Sequence, residues 1–226
     1  MKRAAETTAA ALDEQRPTKR LRRTPVLPDG AAYWPTFLNQ EEANRLFQEL
    51  LRDSPFRAET VVMYGKEHET KRQSCAYGDD TSAVYKYGGV TRAARAWPPA
   101  LKAVRDRLAT EFHVPADTMP NYALVNLYAD GDAGIGWHAD KVGDLVPGST
   151  IYSLSLGAER DFQFKPIVGS KDKPTTISLT SGALVTMTLD LQKTHKHCVP
   201  VRKGVREARI NVTFRRLRPA PASLGA

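Results

Sequence analysis

The sequence predicts a mainly β protein of α+β type, with a sandwich or jelly-roll core and helices packed outside it. Two observations support this class. Beyond Pro120 the chain consists of short runs rich in Val, Thr, Tyr, Phe and Ile, separated by Gly, Pro, Asp and Lys. Both helical patterns come before that point, and many short strands without intervening helices favour an all-β core.

The two predicted helices have recognisable starts and apolar stripes. The first begins at Asn39, which can cap it, with Glu42 three residues later as in a capping box. The second follows Pro98 and Pro99. The stripes, at helical spacing, are Leu46, Phe47, Leu50 and Leu51 in the first helix and Leu101, Val104, Leu108 and Phe112 in the second.

Six strands are predicted after the helices, at 122–128, 150–156, 161–165, 176–179, 183–189 and 208–216. A chain of 226 residues supplies one sizeable core and is too short for two catalytic domains. We therefore expect one ordered domain over 28–218, with 1–27 and 219–226 disordered.

The N-terminal segment 1–27 is basic and poor in large apolar side chains. It holds seven Lys or Arg against three acids, so half of the net charge of +8 lies there. Such a composition predicts disorder. The cluster at 16–23, with Lys2 and Arg3 as a second half, indicates either nuclear import or a nonspecific phosphate-binding arm. We expect a nuclear protein.

The overall composition favours a polyanionic partner. A net charge of +8 and an isoelectric point of about 9.5 suit nucleic acid, because Lys and Arg on phosphates release condensed counterions. Two cysteines, Cys75 and Cys198, match neither a disulfide framework nor a metal clip and indicate a reducing compartment. No apolar run approaches the roughly 20 residues that span a bilayer. We expect a monomer that binds nucleic acid and no membrane.

A metal site is predicted around His138 and Asp140. These residues are two apart, so in extended backbone they project to the same side. The third ligand is His195 or His197. Two histidines and one carboxylate leave three positions for a bidentate oxoacid and oxygen, as in non-haem iron(II) oxygenases, although the same ligands can hold zinc.

The last strand predicts a pocket for an anion. Alternation places Arg209, Asn211, Thr213 and Arg215 on one face, opposite the apolar residues between them. Two arginines facing one pocket need anions, and a dicarboxylate co-substrate meets that need. Asn126 and Tyr128 share a face of an earlier strand and offer an amide and a phenol to the same ligand.

These motifs occur in an order that resembles the AlkB family. The series is Asn-Leu-Tyr-x-Asp-Gly, His-x-Asp, Ser-Leu-Ser-Leu-Gly with Asp-Phe-Gln-Phe, His-x-x-Pro and Arg-x-Asn-x-Thr-Phe-Arg, over about residues 55–217. Within the family, the chain is most similar to the eukaryotic nuclear DNA-repair branch. The resemblance implies a double-stranded β-helix (jelly roll) dioxygenase domain that removes alkyl groups from DNA bases with Fe(2+), oxygen and 2-oxoglutarate, releasing aldehyde, succinate and CO2.

The resemblance also assigns roles to residues. His138, Asp140 and His197 would bind iron, with His197 preferred to His195 because it precedes a small-apolar-Pro segment. Arg209 would bind the distal carboxylate of the 2-oxoglutarate co-substrate with Tyr128 and Asn126, and Arg215 would lie near the proximal one. Asn211 and Thr213 would support this pocket.

Substrate contacts are expected before the second helix. Met63 and Tyr64 match a finger that fills the gap left by a flipped base, although a hairpin tip with a half-exposed Tyr is the alternative. Lys71 and Arg72 are expected to meet phosphates, Tyr77 to cover the flipped base, and Tyr85 and Tyr87 to stack.

One position departs from the family pattern. Val142 stands where members that repair methylated adenine and cytosine carry an acidic residue, and Asp144 would replace it only in a reshaped loop. This departure leaves open which alkylated base is the substrate.

Three alternative functions remain for the chain. They are an RNA demethylase with the same chemistry, a non-catalytic jelly roll that binds nucleic acid, and a protein hydroxylase.

Overall fold

The computed structural model describes residues 25–63, 66–80, 84–87, 90–169 and 173–219. It contains three helices, α1 (Gln40–Asp53), α2 (Pro99–Glu111) and α3 (Leu191–Thr194), in this part of the chain. The strands of the described residues are β1 (Ala31–Trp34), β2 (Arg57–Met63), β3 (Lys66–Gly78), β4 (Val84–Tyr87), β5 (Val90–Ala93), β6 (Tyr122–Tyr128), β7 (Ile135–His138), β8 (Thr150–Gly157), β9 (Arg160–Pro166), β10 (Thr175–Leu179), β11 (Leu184–Thr188), β12 (His195–Val199) and β13 (Arg209–Arg215).

The core is a pair of antiparallel sheets that enclose one apolar layer. The major sheet has seven strands in the order β1-β11-β8-β13-β6-β3-β2, and the minor sheet has four in the order β10-β9-β12-β7. Side chains of both sheets, among them Tyr122 and Ile151 of the major sheet and Phe162 and Ile177 of the minor one, form a single buried cluster. This arrangement confirms the predicted jelly roll.

The two long helices cover the outer face of the major sheet, as predicted. Asn39 caps α1 in a complete capping box: its side chain accepts from the Glu42 N–H, and the Glu42 side chain accepts from the Asn39 N–H. Leu46 and Leu50 of α1 are buried in a second apolar cluster together with Leu101 and Leu108 of α2. Leu51, assigned to the stripe, is exposed at 38% because it lies beside the stripe and not within it.

All six predicted strands are present, each within one residue of its predicted ends. The seven other strands of the described residues are not predicted from the sequence. β3 is the clearest case, because five of its first seven residues are charged. None of the helices in the described ranges is long and apolar enough to cross a membrane.

Candidate active site

The predicted metal ligands converge between the two sheets. One potential ligand atom from each of His138, Asp140 and His197 lies within 4.8 Å of the others. His138 and His197 are cross-strand partners on β7 and β12, with ring centroids 4.2 Å apart. His195, two residues earlier on β12, pairs with Pro166 and lies outside this group. The register of the two strands therefore selects His197.

Asp140 is held as a charged carboxylate. It is buried, and the Arg215 guanidinium donates to its Oδ2 from Nη2 at 2.7 Å and from Nε at 3.2 Å. Burial alone would raise the pKa of Asp140, but Arg215, followed by His197 and His138, lowers it to about 2. Its backbone N–H donates to Oε1 of Gln192 at 3.0 Å, which orients the loop after β7.

The two histidines are held in the neutral form that a metal requires. Burial lowers the pKa of His138, and burial followed by the neighbouring His138 lowers the pKa of His197 to about 3. Nδ1 of His138 lies 2.9 Å from the Gly136 carbonyl oxygen. With the proton on Nδ1 donated to that carbonyl, Nε2 keeps its lone pair for a metal.

Arg209 is a buried guanidinium with unused donors. The residue is 1% exposed, and Nη2 donates to Oγ of Ser155 at 2.9 Å. Among the described residues, none accepts a hydrogen bond from its Nε or Nη1. The Tyr128 ring lies 5.0 Å from its Cζ. Because unsatisfied buried donors on a charged group are costly, this arrangement fits a carboxylate ligand.

Polar side chains around Arg209 form an ordered network. Nδ2 of Asn211 donates to Oγ of Ser153 at 2.8 Å and to the Leu154 carbonyl at 3.0 Å. Oγ1 of Thr213 donates to Oδ1 of Asn211 at 3.0 Å. Oδ1 of Asn126 is buried and accepts no hydrogen bond from the described residues. This amide can bond to a ligand as an acceptor or, turned by 180°, as a donor to a carboxylate.

One cavity collects all nine residues predicted for the metal and the co-substrate. Its described lining is Arg72, Leu124, Asn126, Tyr128, Ile135, His138, Asp140, Ser153, Phe162, Met187, His197, Val199, Arg209, Asn211, Thr213 and Arg215. Ser153, Ser155 and Gln192 have no role predicted from the sequence. The two serines alternate with leucines on a predicted strand, and this alternation would have placed them facing Arg209 and Asn211.

Some predicted substrate contacts lie outside the described residues, and others occupy positions that differ from the prediction. Tyr64 lies outside the described residues, as do the side chains of Met63, Tyr85 and Tyr87. Lys71 is on the surface, with its side chain 70% exposed and Nζ 3.7 Å from Oδ2 of Asp132.

Arg72, which was expected to meet phosphates, is instead buried. It is 7% exposed and lines the cavity with His138 and Asp140. It faces the cavity because it lies on the same face of β3 as Ser74, whose cross-strand partner is Asn126.

The prediction that Tyr77 covers a flipped base is wrong. Tyr77 is 5% exposed, belongs to the apolar cluster under the helices, and donates its hydroxyl hydrogen to Oγ of Ser54 at 3.0 Å. The physical reason is strand alternation. Tyr77 is an odd number of residues from Arg72 on β3, so the two side chains emerge on opposite faces of the sheet.

The loop after Asp140 does not restore an acid to the cavity. Val142 lines a separate surface cleft together with Leu145 and Pro147. Asp144 accepts from Nζ of Lys141 at 2.9 Å and is absent from the described lining of the metal cavity. The departure at Val142 is therefore not offset by Asp144.

The fold and this residue set define an oxygenase that uses iron(II) and 2-oxoglutarate. Residues 30–215 match the 2OG-Fe(II) oxygenase superfamily, and the chain belongs to it. Its relatives place it, more narrowly, among the AlkB-family dioxygenases.

Three relatives show the extent of this similarity. The chain is 36% identical over 187 residues to the DNA oxidative demethylase ALKBH2 of Mus musculus, covering 79% of this chain and 76% of the relative. It is 34% identical over 185 residues to ALKBH2 of Homo sapiens, covering 78% and 69%. It is 29% identical over 195 residues to the alpha-ketoglutarate-dependent dioxygenase alkB homolog 3 of Bos taurus, covering 83% and 66%.

A solved structure supports the fold. The structure titled OsALKBH1 superposes with a TM-score of 0.59 at 20% sequence identity, covering 84% of this chain and all of that one.

Proposed function

We propose that this protein is a DNA oxidative demethylase that removes alkyl groups from N-alkylated bases with Fe(II), oxygen and 2-oxoglutarate. The observation that carries the proposal is the shared cavity: a His-Asp-His cluster lies beside a buried arginine with two unused donors. The relatives named DNA oxidative demethylase support DNA as the substrate, and the net charge of +8 suits a polyanion.

We assign iron binding to His138, Asp140 and His197. Their chemistry fits the metal, because two neutral imidazoles and one carboxylate bind Fe(II) and leave positions open for further ligands. Arg215 stabilises the charged form of Asp140 and fixes its orientation through two hydrogen bonds. The aromatic ring of Phe162, stacked 5.3 Å from His197, limits the motion of that imidazole.

We assign 2-oxoglutarate binding to the network around Arg209. Nε and Nη1 of Arg209 would donate to the distal carboxylate, with Tyr128 and Asn126 beside it. Arg215 would lie near the proximal carboxylate. Asn211 and Thr213 make hydrogen bonds to other pocket residues, so their role is to keep the pocket in shape.

The chain's contribution to the reaction is orientation, charge and exclusion of water. When bound, iron with oxygen and 2-oxoglutarate supplies the hydroxylation of the N-alkyl carbon, after which the carbon leaves the nitrogen as an aldehyde. Arg209 would hold the co-substrate by its distal carboxylate in the same cavity as His138 and His197. Apolar lining from Ile135, Met187 and Val199 keeps water away from the reacting atoms.

The direct test loads the full chain with Fe(II) without oxygen and then adds oxygen, 2-oxoglutarate and methylated oligonucleotides. Single-stranded DNA, double-stranded DNA and matched RNA are compared, and repaired base is followed by mass spectrometry. We expect repair of DNA, lost in His138→Ala. Preferential repair of RNA would make the protein an RNA demethylase, and oligonucleotide binding without repair would indicate a non-catalytic binding protein.

We further propose a nuclear, monomeric protein. The basic cluster at 16–23 lies outside the described residues, so its role rests on its sequence. Replacing Lys19 and Arg20 with Ala in a fluorescent fusion should abolish nuclear accumulation, whereas unchanged nuclear localisation would remove the import role. Light scattering at several concentrations tests the monomer.

A further inference from the structure

Arg72 is a third guanidinium in the described lining of the active-site cavity, beside those of Arg209 and Arg215. It is 7% exposed, and its Nε is buried with no hydrogen-bond acceptor among the described residues. A buried cation in this state costs free energy unless something that enters the cavity accepts its hydrogen bonds.

The iron and the co-substrate do not need this third guanidinium. Under the proposed function, the unused donors of Arg209 would serve one carboxylate of the co-substrate, and Arg215 would lie near the other. Arg72 is on β3, which is separated from the strand of both other arginines by β6. Its unused donor is therefore available to the remaining occupant of the cavity, which is the alkylated base.

The charge of the cavity disfavours a cationic base. Among its described lining residues there are three arginines and one carboxylate, and that carboxylate, Asp140, is already bonded to Arg215. The charges of a divalent metal and a dianionic co-substrate would cancel, so the described lining keeps an excess of two positive charges. Like charges repel strongly at such low dielectric.

We propose that Arg72 selects neutral N-alkylated bases that carry a carbonyl beside the alkylated nitrogen, over cationic ones. N3-methylthymine and N1-methylguanine are neutral and present carbonyl oxygens that can accept from a guanidinium. N1-methyladenine and N3-methylcytosine carry a positive charge. The inference rests on the proposed function, because it concerns which base that chemistry repairs.

The test compares four single-stranded oligonucleotides that differ only in the lesion: N3-methylthymine, N1-methylguanine, N3-methylcytosine and N1-methyladenine. The full-length iron-loaded protein, Arg72→Met and the control Arg45→Met are assayed for kcat/KM on each lesion and for the Michaelis constant of the co-substrate. Arg45 is exposed on α1, so its variant removes one positive charge outside the cavity. Fluorescence anisotropy without oxygen ranks binding of the same oligonucleotides independently of turnover.

We expect the wild type to favour the neutral lesions in both binding and repair. Arg72→Met should shift the ratio of neutral to cationic repair by roughly ten- to a hundredfold toward the cationic lesions, the effect of losing one charged hydrogen bond and one repelling charge. The Michaelis constant for the co-substrate should be unchanged, and Arg45→Met should keep the wild-type ratio.

Three results would overturn the inference while the demethylase activity stands. Equal weakening of all four lesions in Arg72→Met would indicate a phosphate contact. A raised Michaelis constant for the co-substrate with an unchanged lesion ratio would assign Arg72 to 2-oxoglutarate binding. A wild-type preference for cationic lesions that Arg72→Met leaves unaltered would exclude the selection. If no lesion is repaired, the proposed function fails. The order of affinities for the four oligonucleotides, measured without oxygen, then still tests whether Arg72 favours neutral bases.

Discussion

Nη2 of Arg215 lies 2.7 Å from Oδ2 of Asp140, and both side chains are almost fully buried. This pair links the three predicted metal ligands to β13 of the major sheet, because Asp140 follows β7 of the minor sheet while Arg215 is the last residue of β13. Each charge is acceptable in the interior only because the other is present. The position of the Asp140 carboxylate therefore depends on where β13 places Arg215.

Removing Arg215 should destabilise the metal-free protein far more than loss of a surface ion pair would. Arg215→Met leaves the Asp140 carboxylate buried beside fewer compensating charges, and we expect the free energy of unfolding to fall by about 3–5 kcal/mol. Urea denaturation near neutral pH measures it. The double variant with Asp140→Asn should recover much of that loss. A decrease below about 1 kcal/mol would mean that the pair behaves like an exposed one.

The buried histidines predict how the stability of the metal-free protein depends on pH. The pKa of His197 is lowered from 6.5 to about 3 in the folded state, so between these values the unfolded state binds more protons. The contribution of His197 to the free energy of unfolding is therefore fully present above about pH 6.5. It is lost as the pH falls below that value, by up to about 1.4 kcal/mol per pH unit.

Urea denaturation between about pH 7 and about pH 5 measures this slope in a range where the carboxylates contribute little. In His197→Gln the slope of the unfolding free energy against pH should decrease by up to about 1.4 kcal/mol per pH unit, which corresponds to one bound proton. Identical slopes in the two proteins would show that His197 titrates normally in the folded state.

Arg209 should stabilise the complex with 2-oxoglutarate at the expense of the free protein. In the free protein its Nε and Nη1 are buried donors without acceptors among the described residues, so Arg209→Met should raise the melting temperature or leave it unchanged. The same variant should lose the increase in melting temperature that 2-oxoglutarate gives the metal-loaded wild type.

Thermal unfolding with and without 2-oxoglutarate, in the absence of oxygen, gives both results. Thr188→Ser, an exposed change outside the cavity, is the control and should behave like the wild type. An Arg209→Met variant that 2-oxoglutarate stabilises as much as the wild type would contradict the assignment.

Arg160 should be required for the shape of the co-substrate pocket without touching the co-substrate. Its guanidinium donates to the carbonyls of Asp130, Ala133 and Pro200 at 2.8–3.1 Å and lies 5.8 Å from the Tyr128 ring. Arg160→Met leaves three carbonyls without this donor, and we expect a loss of about 3–5 kcal/mol in urea denaturation.

Pocket distortion in Arg160→Met should also raise the Michaelis constant for the co-substrate, because the Tyr128 ring lies near the guanidinium groups of both Arg160 and Arg209. Arg160→Lys should recover only part of the stability, since an ammonium cannot reach all three carbonyls in the fork geometry of a guanidinium. Wild-type stability in Arg160→Met would show that the three carbonyls find other donors.

The sequence predicts the interior of this fold well because alternation on a strand is a strict geometric rule. The faces assigned to Arg209, Asn211, Thr213 and Arg215 are correct, as are the strands at 122–128 and 208–216. The paired register of His138 and His197 then selects one histidine of two, a choice for which the local sequence offered only a following Pro-containing segment.

Other positions could not be predicted because they depend on pairing between distant strands. β3 is rich in charge and has no apolar alternation, so its local sequence does not show which face meets the cavity. The sequence therefore predicts a phosphate contact for Arg72 and a base contact for Tyr77. Pairing with β6 instead places Arg72 in the cavity and Tyr77 in the helix-covered core. The three loop carbonyls at Arg160 come from segments up to 40 residues away.

The cavity that contains His138, Asp140 and His197 should couple 2-oxoglutarate turnover to repair of DNA. The most direct measurement is the ratio of succinate formed to base repaired on a methylated oligonucleotide, in the wild type and in His138→Ala. We predict one succinate per repaired base at saturating substrate and neither product in the variant. Succinate formed without repair on any methylated DNA, or repair that survives in His138→Ala, would contradict the claim.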